Sequence, residues 1–357
     1  MPRKSVQTHF KLHRVNSCRS TLPAAGVMQT FPRKCNSMLK VFFTVDVEVW
    51  CDGWRNIDEI FPNAFRKYVY GPTPKGDYGL PFTLNVLKNH GLTGVFFVEP
   101  LFSTRFGQQP LAEIVGLLCD ASQEIQLHLH TEWVDESIEP LLDGINGKRQ
   151  HLRYFSLAEQ TILVNAGKRL ILQAGGGNAT AFRAGSFGFN KDTLLALRAN
   201  DIPFDSSYNA TVFGLDSGVF PGVTIVDAIE CEGVYEYPMT VFNDGTRSLR
   251  QAQLTACSYQ EMEGLLWQAL ESDRKSFVIL SHNFELLNET KTRPDAVVVE
   301  RFRKLCSFLD RNRDSFRVCG FDGLQAQVGL SQPAPLASPL WKTGRRMIEQ
   351  AYRRRYK

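Results

Sequence analysis

Several apolar runs in this 357-residue chain end on residues that can do chemistry. The stretch VFFTVDVEVW, residues 41–50, finishes a β-branched and aromatic run on Asp46 and Glu48. A spacing of two sets both carboxylates on one face of a strand. Two anions side by side call for a cation, a shared proton or a water-filled cleft, unless they only cap a surface strand end. EIQLHLHTEW closes another run on His128 and His130, with Glu132 just beyond. Neutral imidazole and carboxylate together suit zinc or a similar divalent ion. FRAGSFG puts Arg183 at a third strand end, before a glycine turn. A guanidinium there can orient a carboxylate bidentately or form an ordinary structural ion pair. Asp205, in FDSSYN, can hold Arg183 or cap a turn. FVILSHNFELL ends a buried strand on Ser281 and His282, a histidine placed for general acid or base work.

These residues need elements to hold them, and the pattern supplies alternating strands and helices. LPFTLNVLKNHG predicts an amphipathic helix stopped by Gly91, and TGVFFVEP the strand after it. Ser156 and Glu159 form a capping box that starts a helix running to about Ala174. YEYPMTVF and FRVCG read as strands, SYQEMEGLLWQAL and the segment from Asp295 to Leu309 as helices. Alternation sustained across residues 41–325 predicts a single α/β catalytic domain, a distorted (β/α)7-type barrel with its chemistry at the strand ends. Between Trp50 and Gly79 lies a long aromatic-rich segment that reads as a functional loop. Gly175 to Gly177 follow a helix and lack the GxGxxG register, so they mark a helix stop and not a phosphate loop.

The net charge of +4 conceals a division. Residues 1–40 carry eight Lys or Arg and no acid, and 340–357 carry seven against Glu349 alone, which leaves 26 basic and 36 acidic residues between them. An acidic central region argues against nucleic-acid binding, which needs a basic face to neutralise phosphates. Residues 1–40 read as a disordered basic extension, a targeting segment or an over-extended start. Residues 326–357 read as a Pro-, Ser- and Ala-bearing linker and a short basic helix. That helix can pack on the domain or make peripheral contact with an anionic membrane. No apolar run reaches the length of a membrane span, and no signal-peptide core is visible, so the expected location is cytoplasmic. The eight cysteines show no paired spacing and read as free thiols, with Cys119 and Cys306 in helical patterns as small apolar residues.

Taken in order, TVDVE, EIQLHLHTEW, FRAGSFG, FDSSYN, EYPMT and LSHNFEL resemble the polysaccharide deacetylase superfamily, the NodB-homology domain of carbohydrate esterase family four. The resemblance covers residues 41–325. It implies a divalent metal, often zinc, and hydrolysis of the N-acetyl group of an acetylated amino sugar in surface polysaccharide or glycoconjugate biosynthesis. It makes Asp46 the catalytic base, His128 a metal ligand, Arg183 the residue that orients the base, the Ser186 amide an oxyanion donor and His282 the acid for the leaving amine. Where the family pattern has a second Asp, this chain has Val47, and Glu48 is the nearest substitute. Where the second metal histidine is expected, it has Glu132, with His130 as a stand-in. Such variants fit a divergent branch whose alternatives are hydrolysis of a formamide or cyclic amide, or a carbohydrate-binding pseudoenzyme. Trp54, Phe61, Tyr68 and Tyr70 are then a wall for stacking a sugar ring or anchors of their own loop. The sugar, its linkage and the oligomeric state have no sequence signature.

Overall fold

The computed structural model describes residues 38–144, 147–329 and 332–355. Its main sheet contains β1 (Leu39–Val47), β2 (Val95–Val98), β3 (Glu124–Leu129), β4 (Ala181–Ala184), β5 (Phe204–Asp205), β6 (Ile229–Cys231), β7 (Val234–Glu236), β8 (Ser276–His282) and β9 (Phe316–Val318). The spatial order is β8-β1-β2-β3-β4-β5-β7-β6, with β9 against the first residues of β1. Every pairing is parallel except β6 with β7. The sheet curls into a half-barrel, the distorted α/β barrel that the alternation predicts.

β1 explains the organisation. Parallel strands covered on both faces read as unbroken apolar runs, and LKVFFTVDV is buried along almost its whole length. Phe43, Val45 and Val47 face the layer of helices and join the larger apolar cluster. Phe42 turns inward, where it meets Phe97, Phe204, Tyr237, Val278, Leu280 and Phe321. Phe42 and Phe321 stack with centroids 4.8 Å apart and close the floor of the half-barrel. Each such side chain, fully buried, contributes about 1.5–3 kcal/mol. Inward positions change from apolar to polar along each strand: Phe42, Thr44, Asp46 on β1 and Val278, Leu280, His282 on β8. The apolar floor thus carries a polar rim.

The outer layer comprises α1 (Ile57–Phe65), α2 (Leu80–Asn89), α3 (Gln108–Asp120), α4 (Leu157–Gln173), α5 (Lys191–Ala199), α6 (Tyr259–Glu271), α7 (Ala296–Arg311) and, near the end of the chain, α8 (Leu340–Arg355). The Ser156–Glu159 capping box forms as the sequence predicts: Ser156 Oγ accepts from the Glu159 amide at 3.3 Å, and Glu159 Oε2 accepts from the Ser156 amide at 2.7 Å.

Three segments depart from the sequence reading. The expected loop after Trp50 holds α1 and a π-helical turn, Arg66–Tyr70. Its helical character is hidden because Pro62 sits inside α1 and Asn56 caps it without a side-chain bond. YEYPMTVF is two strands, since Pro238 divides β7 from Val241–Asn243, which joins a separate small sheet with Leu249–Gln251 and Leu336–Ala337. Irregular chain completes the wall there: Thr240 Oγ1 accepts from the Val278 amide at 2.8 Å, and Ala252 O from the Leu280 amide at 2.9 Å. The expected linker also pairs, with buried Leu336 opposite Phe242.

α8 is docked. Arg346 Nη2 donates to Asp244 Oδ2 at 3.0 Å, Thr343 Oγ1 to Asp244 O at 2.7 Å, and Arg301 pairs with Glu349 at 2.6 Å. Leu340, Trp341, Met347 and Ile348 remain exposed on its outer side. Residues 1–37, most of the basic N-terminal extension, lie outside the described residues. No helix among the described residues is long and apolar enough to cross a membrane. The described cysteines are all free; Cys306 is buried as its helical pattern suggests, whereas Cys119 is exposed.

Candidate active site

Strand register assembles the site. Asp46 on β1 lies opposite His282 on β8, and His128 on β3 opposite Arg183 on β4. Glu48 and Asn283 stand just beyond the ends of β1 and β8, where the backbone ladder stops. There the Asn283 side chain continues the pairing: its Oδ1 accepts from the Glu48 amide and its Nδ2 donates to Glu48 O, both at 3.1 Å. A second bond from Nδ2 to Tyr68 O, at 2.8 Å, ties the following segment to the same point. Glu48 is held in a fixed position because a buried amide leaves no backbone polar group there unpaired.

The Glu48 carboxylate reaches both histidines. Its Oε1 lies 3.1 Å from His128 Nε2 and 2.9 Å from His130 Nε2, while Oε2 accepts from Trp50 Nε1 at 2.7 Å. His128 Nδ1 lies 2.8 Å from Arg183 O. A carbonyl only accepts, so Nδ1 carries the hydrogen, and in the neutral ring Nε2 then points a lone pair at a carboxylate oxygen. Two lone pairs at that distance require a proton or a metal ion between them. Donor atoms of Glu48, His128 and His130 all fall within 4.8 Å of one another, and all three residues are buried. Burial works against charge on both Glu48 and His130. Their mutual attraction outweighs it, holding Glu48 well below the usual carboxylate range and His130 well above the usual imidazole range. This donor set fits zinc or a similar divalent ion.

Glu132 stands on the far side of His130, its Oε2 3.4 Å from Nδ1, the ring nitrogen turned away from Glu48. It is thereby placed to orient His130, as outer carboxylates orient metal-bound imidazoles. Burial pushes nearby Glu99 up to about 8, although it accepts from the Leu101 and Phe102 amides at 2.8 and 3.3 Å.

Arg183 is fully buried and lies with its guanidinium 4.2 Å above the Phe97 ring. Its Nη1 donates to Asp46 Oδ1 at 2.5 Å and to Thr44 Oγ1 at 2.9 Å, and its Nε to Ser206 O at 3.0 Å. The partner of Arg183 is therefore Asp46. Asp205, one of the alternatives for that role, accepts instead from Ser207 Oγ at 2.6 Å and shares its buried surroundings with Glu236. Burial, together with the Asp205 charge, holds Glu236 well above the usual carboxylate range.

Asp46, Glu48 and His282 also bring ligand atoms within 4.8 Å of one another. His282 Nδ1 lies 2.8 Å from Glu285 Oε1, which leaves Nε2 as the nitrogen able to meet a ligand. Burial opposes the imidazolium, but Glu285, Glu48 and Asp46 prevail and raise His282 to about 9. Ser186 follows β4 in a left-handed conformation, φ 52° and ψ 21°, and Phe187 repeats it at φ 57°. Such backbone costs of order 1–3 kcal/mol per residue and is concentrated at functional turns. Gly185 makes the turn possible, since a Cβ there would lie 2.6 Å from Leu129 O and 2.8 Å from His130 Nδ1.

The aromatic residues divide. Phe61 and Tyr68 are buried: Phe61 stacks on Phe106 with centroids 3.6 Å apart, and Tyr68 donates to Asp52 at 3.0 Å. Trp54 packs edge-on against Trp133 at 4.8 Å, and Tyr70 bonds Glu113. All four hold their own segment in place. Trp50, Asn283 and Glu285 were given no role by the sequence reading, yet each fixes a site residue. The His-x-x-Glu spacing of His282 and Glu285 was the one legible signal among them.

No protein-family model and no curated protein matches the chain. Solved structures do. A Mycobacterium smegmatis protein assigned as a polysaccharide deacetylase is 16% identical with a TM-score of 0.51, over 88% of this chain and 99% of that one. A family 4 carbohydrate esterase from Streptomyces lividans, solved with acetate, is 13% identical with a TM-score of 0.38, over 80% and 92%. A CE4 family pseudoenzyme from Bacillus anthracis is 13% identical with a TM-score of 0.39, over 79% and 63%. At 16% identity the likeness to the Mycobacterium smegmatis protein is one of fold: the chain has the architecture of that solved polysaccharide deacetylase structure.

Proposed function

We propose that the protein is a metal-dependent hydrolase that removes an N-acetyl group from an amino sugar. The observation that carries this reading is the convergence of Glu48, His128 and His130 beside the Asp46–Arg183 pair and His282. Glu48, His128 and His130 would hold the ion. When bound, such an ion supplies a water acidified to a pKa of about 7 and a polarised acyl carbonyl.

The chain's own groups account for the proton traffic. Asp46 has Oδ1 engaged by Arg183, so Oδ2 is the atom that accepts the proton of the attacking water. A C–O bond forms to the acetyl carbon while the carbonyl oxygen gains negative charge. The Ser186 amide donates to that oxygen, a type of bond whose loss costs ~2.7–4 kcal/mol. His282, kept protonated at neutral pH by Glu285, gives its Nε2 proton to the nitrogen as the C–N bond breaks. Acetate and a free amine are the products.

The test is acetate release from N-acetylhexosamine substrates, run beside elemental analysis of the purified protein. Acetate release with a bound divalent ion supports the reading. When N-formylhexosamine substrates are run beside the acetylated ones, release of formate alone would move the assignment to a different amide, and a metal-free protein that binds the sugar without turnover would end it.

A further inference from the structure

A cavity of about 940 Å³ opens beside His282 and Glu285 and runs to α8. Six cations line it, Lys75, Arg250, Lys291, Arg293, Arg353 and Arg354, against the carboxylates Glu285, Glu289 and Asp295. All three of those carboxylates already have partners. Glu285 is bonded to His282 and Gln253, and Asp295 accepts from the Val297 and Val298 amides and from Arg353 Nε at 2.7 Å.

Several of the cations are poorly compensated. Among the described residues, Lys75, at the tip of the Thr73–Gly76 hairpin turn, and Arg354, on α8, make no side-chain hydrogen bond or ion pair. The Arg250 Nε is buried without an acceptor. Its nearest carboxylate, Asp244, is 3.9 Å away and already bonded by Arg346 and Thr246. Burial and the charge of Lys67 press Lys291 below the usual lysine range, a strain that an anion in the cavity relieves. Cations gathered from a hairpin, a strand and a helix around one opening match a multiply charged oxyanion, which Arg binds bidentately and Lys as a point charge.

We infer that this cavity holds the phosphate or diphosphate of the substrate, so that the amino sugar is presented to Asp46 and His282 as a glycosyl phosphate. The inference rests on the deacetylase reading for its sugar but not for its anion. A cavity of this size is in the range that encloses a whole small-molecule ligand, more than one acetylated sugar ring requires.

The experiment compares the full-length wild type with a Lys75→Glu/Arg250→Glu double variant. Acetate release is measured from an uncharged N-acetylglucosamine disaccharide, N-acetylglucosamine 1-phosphate, a nucleoside diphosphate-linked N-acetylhexosamine and a short polyprenyl diphosphate-linked one. Titration calorimetry with inorganic pyrophosphate runs alongside. In the wild type, kcat/KM is at least tenfold higher for a phosphorylated sugar than for the neutral disaccharide. The double variant loses at least tenfold of that ratio and binds pyrophosphate at least tenfold more weakly, with its melting temperature retained. The nucleotide and polyprenyl arms identify which carrier supplies the phosphate. Equal kcat/KM for neutral and phosphorylated sugars overturns the inference, as does pyrophosphate binding that is absent or unaltered in the variant. If no sugar releases acetate while pyrophosphate binds the wild type and not the variant, the deacetylase reading fails and the anion site stands.

Discussion

Asp46 and His282 occupy the same register position on two adjacent parallel strands, one tied to Arg183 and the other to Glu285. A carboxylate fixed by a cation and an imidazole fixed by an anion thus face one opening from neighbouring strands. The carboxylates of Glu285, Glu48 and Asp46 favour the imidazolium form of His282, the form a general acid needs.

Replacing either should remove activity without unfolding the chain. Asp46→Asn keeps an acceptor for Arg183, and His282 is partly exposed. Each of Asp46→Asn and His282→Ala is expected to lower kcat for acetate release at least ~100-fold, within the range for general acid–base groups. Thermal melting checks the fold, and activity surviving in either variant rules out its assigned role.

Metal content should follow the Glu48 cluster. Glu48→Gln, His128→Ala and His130→Ala are each expected to lose bound ion on elemental analysis. Trp50→Phe, which removes the bond to Glu48 Oε2 and trims the ring that packs on His130, should weaken metal affinity about 10–100-fold, as loss of an outer-shell partner does. Chelation should stop acetate release and added zinc restore it.

The pH profile should report His282. Its folded pKa of about 9 lies above the ordinary imidazole value of 6.5, so the acid form persists at neutral pH and activity falls as pH rises through about 9. The same shift makes the imidazolium contribute stability that is full below 6.5 and lost as pH rises to about 9. Glu285→Gln removes the main group raising the pKa, so the alkaline limb should move toward acid. A limb that does not move excludes Glu285 as its cause.

Arg183→Leu should cost ~3–5 kcal/mol in urea unfolding, because it leaves the Asp46 carboxylate buried without its cation. An Asp46→Leu/Arg183→Leu pair should be less destabilised than the sum of the single changes. Simple additivity would show that the pair is not coupled.

Gly185→Ala should damage the site more than its size suggests. The new methyl would meet Leu129 O and the His130 ring, so metal occupancy is expected to fall together with stability. Gly116→Ala, in α3 with open space around it, is the control and should be neutral or stabilising by about 0.5–1 kcal/mol.

Much of the fold was legible because strand and helix leave different periods in a sequence. The runs ending at Asp46, His128, Arg183 and His282 became β1, β3, β4 and β8, with those residues at or near their ends. Legibility failed where a local signal was mixed. Pro62 and an uncapped start disguised α1 as loop, and Pro238 divided a run that read as one strand. Buried Phe61 and Tyr68 could not be told from exposed ring-stacking residues, since both readings need aromatic side chains in a long segment.

The sequence by itself determined the α/β alternation, the position of polar residues at strand ends and the types of ligand available, because each is carried by neighbours along the chain. Only the tertiary structure decided which of those residues meet. That Glu48 reaches both His128 and His130, that Glu132 lies behind His130, and that Arg183 bonds Asp46 while Asp205 accepts from Ser207 all depend on strand register and sheet curl. Those are set by packing between segments far apart in sequence. No local window contains that information, so spacing could nominate the donors but not the pairs they form.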